Sequence, residues 1–198
     1  MVIRGPRLTL RYPRAADAAA LYELGRDPDV SRFFSWGPYS DAAQASAFIQ
    51  RMAAQREAGE RLEFVIVDEE GRLLGITGLS EFSVRDRRAV VGTWLGRPHW
   101  GSGANADSKA LVLALAFRTL GLQRVSAYAH PDNIRSLRAL ERLGFVPEGT
   151  LVAWHLHDGE RRDVMILRLL REDWLASAAA TLPIDVDGAP PAANRILL

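Results

Sequence analysis

Two short stretches of this chain hold residues whose types and spacing can do chemistry. The first is Trp100-Gly101-Ser102-Gly103-Ala104-Asn105, just ahead of an apolar helical run at residues 110–117. Closely spaced glycines let successive backbone N–H groups turn toward one point, and the unpaired N–H groups of a helix start add the positive end of a dipole there. Such a cradle suits a pyrophosphate. The G-x-G spacing alone leaves a nucleotide, a dinucleotide and an ordinary turn all open. The second stretch is His130-Pro131-Asp132-Asn133, with Ser136 one turn further on. Asn133 can cap the helix that starts here, and Ser136 can bond to backbone or present a free hydroxyl. His155 and His157 alternate on one strand face, but with no third ligand evident a metal is not expected. Asp185-Val186-Asp187-Gly188 is a fragment of a calcium-loop pattern that lacks its distal Glu, and it reads as a turn.

Composition narrows the chemistry further. The chain has 198 residues, 48% of them hydrophobic, enough for one domain with a sizeable core. Lys+Arg 25 against Asp+Glu 24 gives a net charge of +1, so no global field draws the protein to nucleic acid or to an acidic membrane. Without cysteine, thiolate nucleophiles, thiolate metal sites and disulfides are excluded. Lys109 is the only lysine. No apolar run is long enough to span a bilayer and no leader-like segment follows Met1, so a cytoplasmic location is expected.

Periodicity supplies the elements that must hold these residues. Residues 8–11 alternate as a short strand, and residues 15–25 carry Ala18, Leu21, Tyr22 and Gly25 at helical spacing. A loop rich in aromatics follows, with Phe33, Phe34, Trp36 and Tyr39, and Ser40 can cap the next helix. That helix presents Ala45, Phe48, Ile49 and Met52 as an apolar stripe and stops at Gly59. Residues 62–67, 73–79 and 90–95 read as an antiparallel meander with a hairpin turn ending in Gly71. The glycine loop comes next, then a helix with Ala110, Leu113, Ala114 and Phe117 on its buried face, and a strand at residues 125–129. This β-loop-α-β order implies one parallel crossover. Leu137, Leu140 and Leu143 face inward from the helix after Asn133, and Gly144 closes it. Two last strands, residues 153–157 and 164–169, flank an Asp158-Gly159 turn. Residues 175–198, rich in Ala and Pro, read as a tail or arm beyond a domain of residues 1–174. Their Ile196-Leu197-Leu198 end can dock on the core or on a second copy.

The order of elements and the residues on them resemble the GCN5-related N-acetyltransferases (GNAT), in particular the RimJ/RimL-like branch, from about Leu8 to Trp174. The resemblance is carried by Asp29-Val30, Trp36-Gly37-Pro38, Leu74-Gly75, Gly78-Leu79, Gly92 and Leu95. It extends through Trp100-Gly101-Ser102-Gly103 with Asn105 and Lys109, through Asn133-Ile134-Arg135-Ser136 with Leu143-Gly144-Phe145, and through Asp158-Gly159, Asp163 and Trp174. It implies an α/β (α+β) fold with a mixed, mostly antiparallel sheet of about six to seven strands flanked by about four helices. It also implies acetyl-CoA as co-substrate, no metal, an amine acceptor and a homodimer. Two positions depart from the family pattern. Pro98 stands where Gln or Arg precedes the loop, with Arg97 one place earlier, and Leu140 stands where many relatives carry a tyrosine that protonates the leaving thiolate.

Acetyl transfer to an amine needs a neutral nucleophile, a polarised thioester carbonyl and a proton for the departing sulfur. Glu81, at a strand end, is the first candidate base and His130 the second; a solvated strand end and a turn-capping imidazole are their alternative readings. Backbone N–H near Leu95 can hold the carbonyl oxygen, as the resemblance implies. Ser136 can give or relay a proton to CoA sulfur. Gly101, Ser102, Gly103, Ala104 and Asn105 supply donors to the pyrophosphate, with Arg97 and Asn133 as further contacts. Lys109 and Arg138 read as solvated helix charges within reach of outer phosphates. Phe34, Trp36 and His155 are expected on the acceptor side. One rival is a non-catalytic acyl-CoA-binding module, suggested by Leu140. The other is an NAD(P)-binding oxidoreductase, suggested by Gly101, Gly103 and Ala106; it fits poorly because residues 96–100 intervene and Gln123-Arg124 lie near the expected ribose-binding acid.

Overall fold

Strict alternation in the central strands fixes two faces and therefore three layers. In the computed structural model, which describes residues 1–157 and 159–194, β1 (Val2–Arg4) and β2 (Leu8–Arg11) are followed by α1 (Ala18–Gly25), α2 (Pro28–Ser31) and α3 (Ala42–Glu57). Next come β3 (Leu62–Asp68), β4 (Leu73–Ser83), β5 (Arg88–Leu95), α4 (Ala104–Ala114), β6 (Arg124–Ala129) and α5 (Ile134–Arg142). The chain then forms β7 (Val146–His157), β8 (Glu160–Leu170), α6 (Arg171–Leu175) and β9 (Asp185–Asp187). The strands form one sheet in the order β7-β8-β6-β5-β4-β3-β2-β1-β9, antiparallel at every junction except β5–β6. Leu62, Phe64 and Ile66 of β3 join the large core with α4, whereas Val65 between them joins the second core under α1 and α3.

The sheet has nine strands, more than the periodicity suggested, because β1 and β9 are three residues each and too short to display alternation. Asp185 and Asp187, the acids of the calcium-like fragment, instead pair with Arg4 across the β1–β9 edge at 3.1 and 3.7 Å. Helix α3 is capped by Asp41 rather than Ser40: Gln44 N–H donates to Asp41 Oδ1 at 3.0 Å, while Ser40 N–H donates to the Gln44 side chain. Helix α4 is also not the one-sided helix expected. Leu111 through Phe117 are all buried, and a π turn (Leu115–Thr119) ends the run. The reason is the chain after Trp174. Ala179, Ala180, Leu182 and Ile184 pack against the same core, and Arg118 donates to the carbonyls of Leu182, at 2.9 Å, and Ala180. Asp158 of the expected turn and the terminal Ile196-Leu197-Leu198 lie outside the described residues. No helix among the described residues is long and apolar enough to cross a membrane.

Candidate active site

The site begins where β5 and β6 come apart. Their parallel rungs run from Arg88–Arg124 to Val91–Ala127 and stop, although β5 continues to Leu95 and β6 to Ala129. β6 remains paired with β8 over its whole length, so it cannot follow β5. Gly96 N–H donates to Leu74 O at 2.9 Å, which fixes the alternation along β5: Trp94 and Gly92 turn their backbone toward β4, and Thr93 and Leu95 turn theirs toward the split. The N–H groups of Thr93 and Leu95 thus have no ladder partner on β6, while Leu95 O accepts from Trp100 Nε1 at 2.9 Å.

Two cavities open into this split and share Phe33, Phe34, Thr93, Asn133 and Ser136. The larger, about 290 Å³, runs to the glycine loop and is lined there by Gly101, Gly103 and Asn105, with Leu95 below and Arg135 and Arg142 above. The smaller, about 180 Å³, runs the other way to Glu81, Tyr128, His130 and His155. One passage therefore joins a backbone cradle to a cluster of titratable side chains.

Gly101 and Gly103 hold φ of +78° and +89°, a region that costs an L-residue about 1–2 kcal/mol. Gly103 is the N-cap of α4, so the loop bends directly into the helix dipole. Ser102 and Ala104 stand behind the cradle. The Ser102 hydroxyl donates to His99 O at 2.8 Å and accepts from Ala104 N–H, and Ala104 is buried. Arg97 lines neither cavity and pairs with Asp29 at 3.0 Å. Arg135 lies over the Trp100 ring at 3.7 Å. Asn133 caps α5, its Oδ1 accepting from Ser136 N–H at 3.1 Å, and the cap turns the first helical turn into the split.

On the far side, β4 slips register between Ser80 and Ser83, and Glu81 sits in that bulge with φ of +52°. Bulges re-aim side chains, and here the Glu81 carboxylate accepts from Tyr128 Oη at 3.2 Å inside the cavity. Burial, and then the charge of Glu81, push the Tyr128 phenol above its ordinary pKa. Burial lowers the His155 imidazole, with Glu81 partly opposing it. His130 Nδ1 accepts from Asp132 N–H at 3.1 Å, and the ring lies beside Phe33. The neutral ring then carries its proton on Nε2 and has no spare lone pair for an amine. Trp36 does not reach the passage. It packs behind Phe34 against Tyr39 and Trp94, with ring centroids 5.3–5.5 Å apart. The aromatic loop is latched over the split by the last hairpin, where His157 Nε2 bonds to Gly37 O at 3.0 Å and Arg162 donates to Arg32 O at 2.8 Å.

Lys109 departs most from its expected place as a solvated charge. It is 5% exposed and lines the smaller cavity, with Nζ donating to Asn105 Oδ1 at 2.9 Å. Arg138 is the solvated one. Thr93, Tyr128, Arg135 and Arg142 were not singled out from sequence. The seven-residue spacing of Arg135 and Arg142, which puts both on one face of α5, was the available signal for that pair.

The fold and this passage define an acyltransferase class, and comparison with known proteins names it. The model of the acetyltransferase (GNAT) domain matches residues 7–146. The uncharacterized N-acetyltransferase p20 of Bacillus licheniformis is 31% identical over 169 residues, covering 85% of this chain and 95% of its own. The structure of Mycobacterium smegmatis RimJ in complex with CoA-disulfide superposes with a TM-score of 0.81 at 24% identity, over 91% of this chain and 90% of that one. Vibrio cholerae spermidine N-acetyltransferase, solved with CoA and spermine, gives a TM-score of 0.75 at 23% identity, over 85% and 98% of the two chains. The chain belongs to the GNAT family and is an N-acetyltransferase.

Proposed function

We propose that the chain transfers acetyl from acetyl-CoA to a primary amine by direct attack, with both substrates bound at once in the split between β5 and β6. The observation that carries this reading is the pair of adjoining cavities, one at the Gly101–Gly103 cradle and one at Glu81, with Asn133 and Ser136, at the waist, lining both. The pyrophosphate takes donors from Gly101, Gly103 and Asn105, and Arg135 and Arg142 meet the outer phosphates. The pantetheine replaces the missing β6 rungs along Thr93 and Leu95. This puts the thioester at the waist, where the Leu95 N–H supports the carbonyl oxygen and the Ser136 hydroxyl faces the sulfur.

Glu81 is the base, acting on the amine directly or through one water, because its carboxylate is aimed into the cavity whereas His130 spends Nδ1 on its own turn. Tyr128, His155, Phe33 and Phe34 wall the acceptor side. The smaller cavity contains one carboxylate, which suits a single ammonium on an apolar or peptide body better than a polyamine. The relative that binds spermine therefore supports the amine class, not that substrate. A homodimer belongs to the same reading, supported by the exposed Val152, Trp154 and Leu156 of β7, and light scattering tests it.

Leu140, in place of the tyrosine, favours a second reading as a CoA-binding module without turnover. A panel of α-amines, lysine-like amines and polyamines with acetyl-CoA, read by mass for one added acetyl group, separates the two. Acetylation of a monoamine supports the enzyme; tight CoA binding with no acetylated product supports the module.

A further inference from the structure

Of the 25 Lys and Arg side chains all but one are arginines, and the one lysine is the buried residue that lines the cleft. Arginine is the stronger choice for phosphates and surface pairs, and the chain uses it in both places. What arginine cannot do in a protein is give up its proton. The lysine at this one buried position can give up a proton where an arginine could not.

The surroundings agree. Lys109 Nζ has one polar partner, the neutral amide of Asn105 at 2.9 Å, and no carboxylate pairs with it among the described residues. Four other titratable groups line the same cavity, Glu81 from β4, Tyr128 from β6, His130 just after β6 and His155 from β7. Asp107, on the same helix, is turned away and held by Arg7 at 2.8 Å. Lys109 shares the cavity wall with Thr93, Asn133 and Ser136, the three polar residues at the waist. Burial alone brings Lys109 down to about 7, below the ~8.5 of a thiol such as cysteine. Ser136 cannot fill this role alone: a hydroxyl is too weak an acid to end as an alkoxide, so it can hydrogen-bond the sulfur but not be the proton's source.

Resting on the acetyl-transfer reading, we propose that the Lys109 ammonium is the acid that protonates the departing CoA sulfur, the function left vacant by Leu140. As the tetrahedral adduct collapses, the C–S bond breaks and its electron pair goes to sulfur. The S–H bond then forms with a proton from Nζ, leaving a neutral amine. The proton lost by the acceptor nitrogen goes to Glu81 and on to water, and Lys109 takes a proton from water after CoA leaves. One proton is lost by the amine and one is gained by the thiol, so the step balances. Asn105, the acceptor of the Lys109 ammonium, lines the larger cavity beside the glycine loop, so the negative charge of CoA bound there favours the protonated form until then.

The sole lysine makes the test direct. Protein labelled with ¹³C and ¹⁵N only in lysine gives one side-chain signal, whose midpoint is expected well below the ~10.4 of a free lysine and to rise when CoA binds. In turnover, the wild-type kcat is expected to fall at alkaline pH. Lys109→Met should abolish that limb and lower kcat about 10²–10⁴-fold, with CoA affinity within about threefold. Lys109→Arg, a cation that cannot release its proton, should fail to restore the rate. A kcat for Lys109→Met within about threefold of wild type with the limb intact, or full recovery with Lys109→Arg, overturns the assignment, as does a lasting acetyl adduct on Lys109. A free-lysine midpoint unaffected by CoA overturns it without recourse to any variant. Failure of the wild type to acetylate any amine overturns the acetyl-transfer reading instead.

Discussion

Replacing Gly103 by alanine tests the cradle with a methyl group. At φ of +89° the substitution costs about 1–2 kcal/mol in backbone strain. The new Cβ would also stand 2.8 Å from Arg7 Nη2, the far end of an exposed side chain, so Arg7 swings away and its pair with Asp107 is lost. Such an exposed pair is worth about 0.2–1 kcal/mol. A total near 2 kcal/mol corresponds to roughly 4–8 °C in Tm for a chain of this size. If the loop relaxes to relieve the strain, at least one N–H leaves the phosphate, and a charge-assisted hydrogen bond of about 1.5–3 kcal/mol is ~10–150-fold in acetyl-CoA Kd. Gly101→Ala is the control: at φ of +78° it meets nothing within 4 Å and carries backbone strain alone. Thermal unfolding and calorimetric titration with acetyl-CoA give both numbers. Lost stability with acetyl-CoA affinity unchanged would refute the cradle.

Other perturbations separate the remaining parts. Glu81→Gln should cost more turnover with a lysine-like amine, pKa about 10.4, than with an α-amine near 8, because the second needs less help to lose its proton; equal losses in an amine series would remove Glu81 as base. Ser136→Ala should lower kcat more than CoA affinity, and unchanged kcat would retire its hydrogen bond to sulfur. The unfolded chain holds a proton on Lys109 that the folded chain gives up near 7. Stability should therefore rise with pH between about 7 and 10.4, a slope that denaturant midpoints should find missing in Lys109→Met. Truncation after Trp174 uncovers α4 and should lower the Tm; an unchanged melting curve would contradict the covering role of Ala179–Ile184 contacts.

The meander, the glycine loop and the Asn133 cap were legible because each is a local signal: alternation, a positive-φ residue, a side chain three residues from the N–H it accepts. What escaped was set by distance along the chain. Asp185–Asp187 is a strand only because it pairs with Val2–Arg4 across more than 180 residues. Helix α4 read as one-sided because nothing near it in sequence reveals that residues 179–184 cover its outer face. Lys109 looked solvated for the same reason. Asp107 and Ser108 precede it, and only the split between β5 and β6 makes its position part of a cavity wall. The composition did contain the clue, since a lone lysine among arginines is unusual, but its meaning depended on where the fold put it.

The central claim is that acetyl-CoA and an amine meet in one passage and react directly. Initial rates with both substrates varied test it most plainly, with the product identified as the acetylated amine. Double-reciprocal lines that intersect are expected, as a ternary complex requires. Parallel lines, the mark of an acetylated enzyme intermediate, would contradict the account, as would CoA binding with no acetylated product.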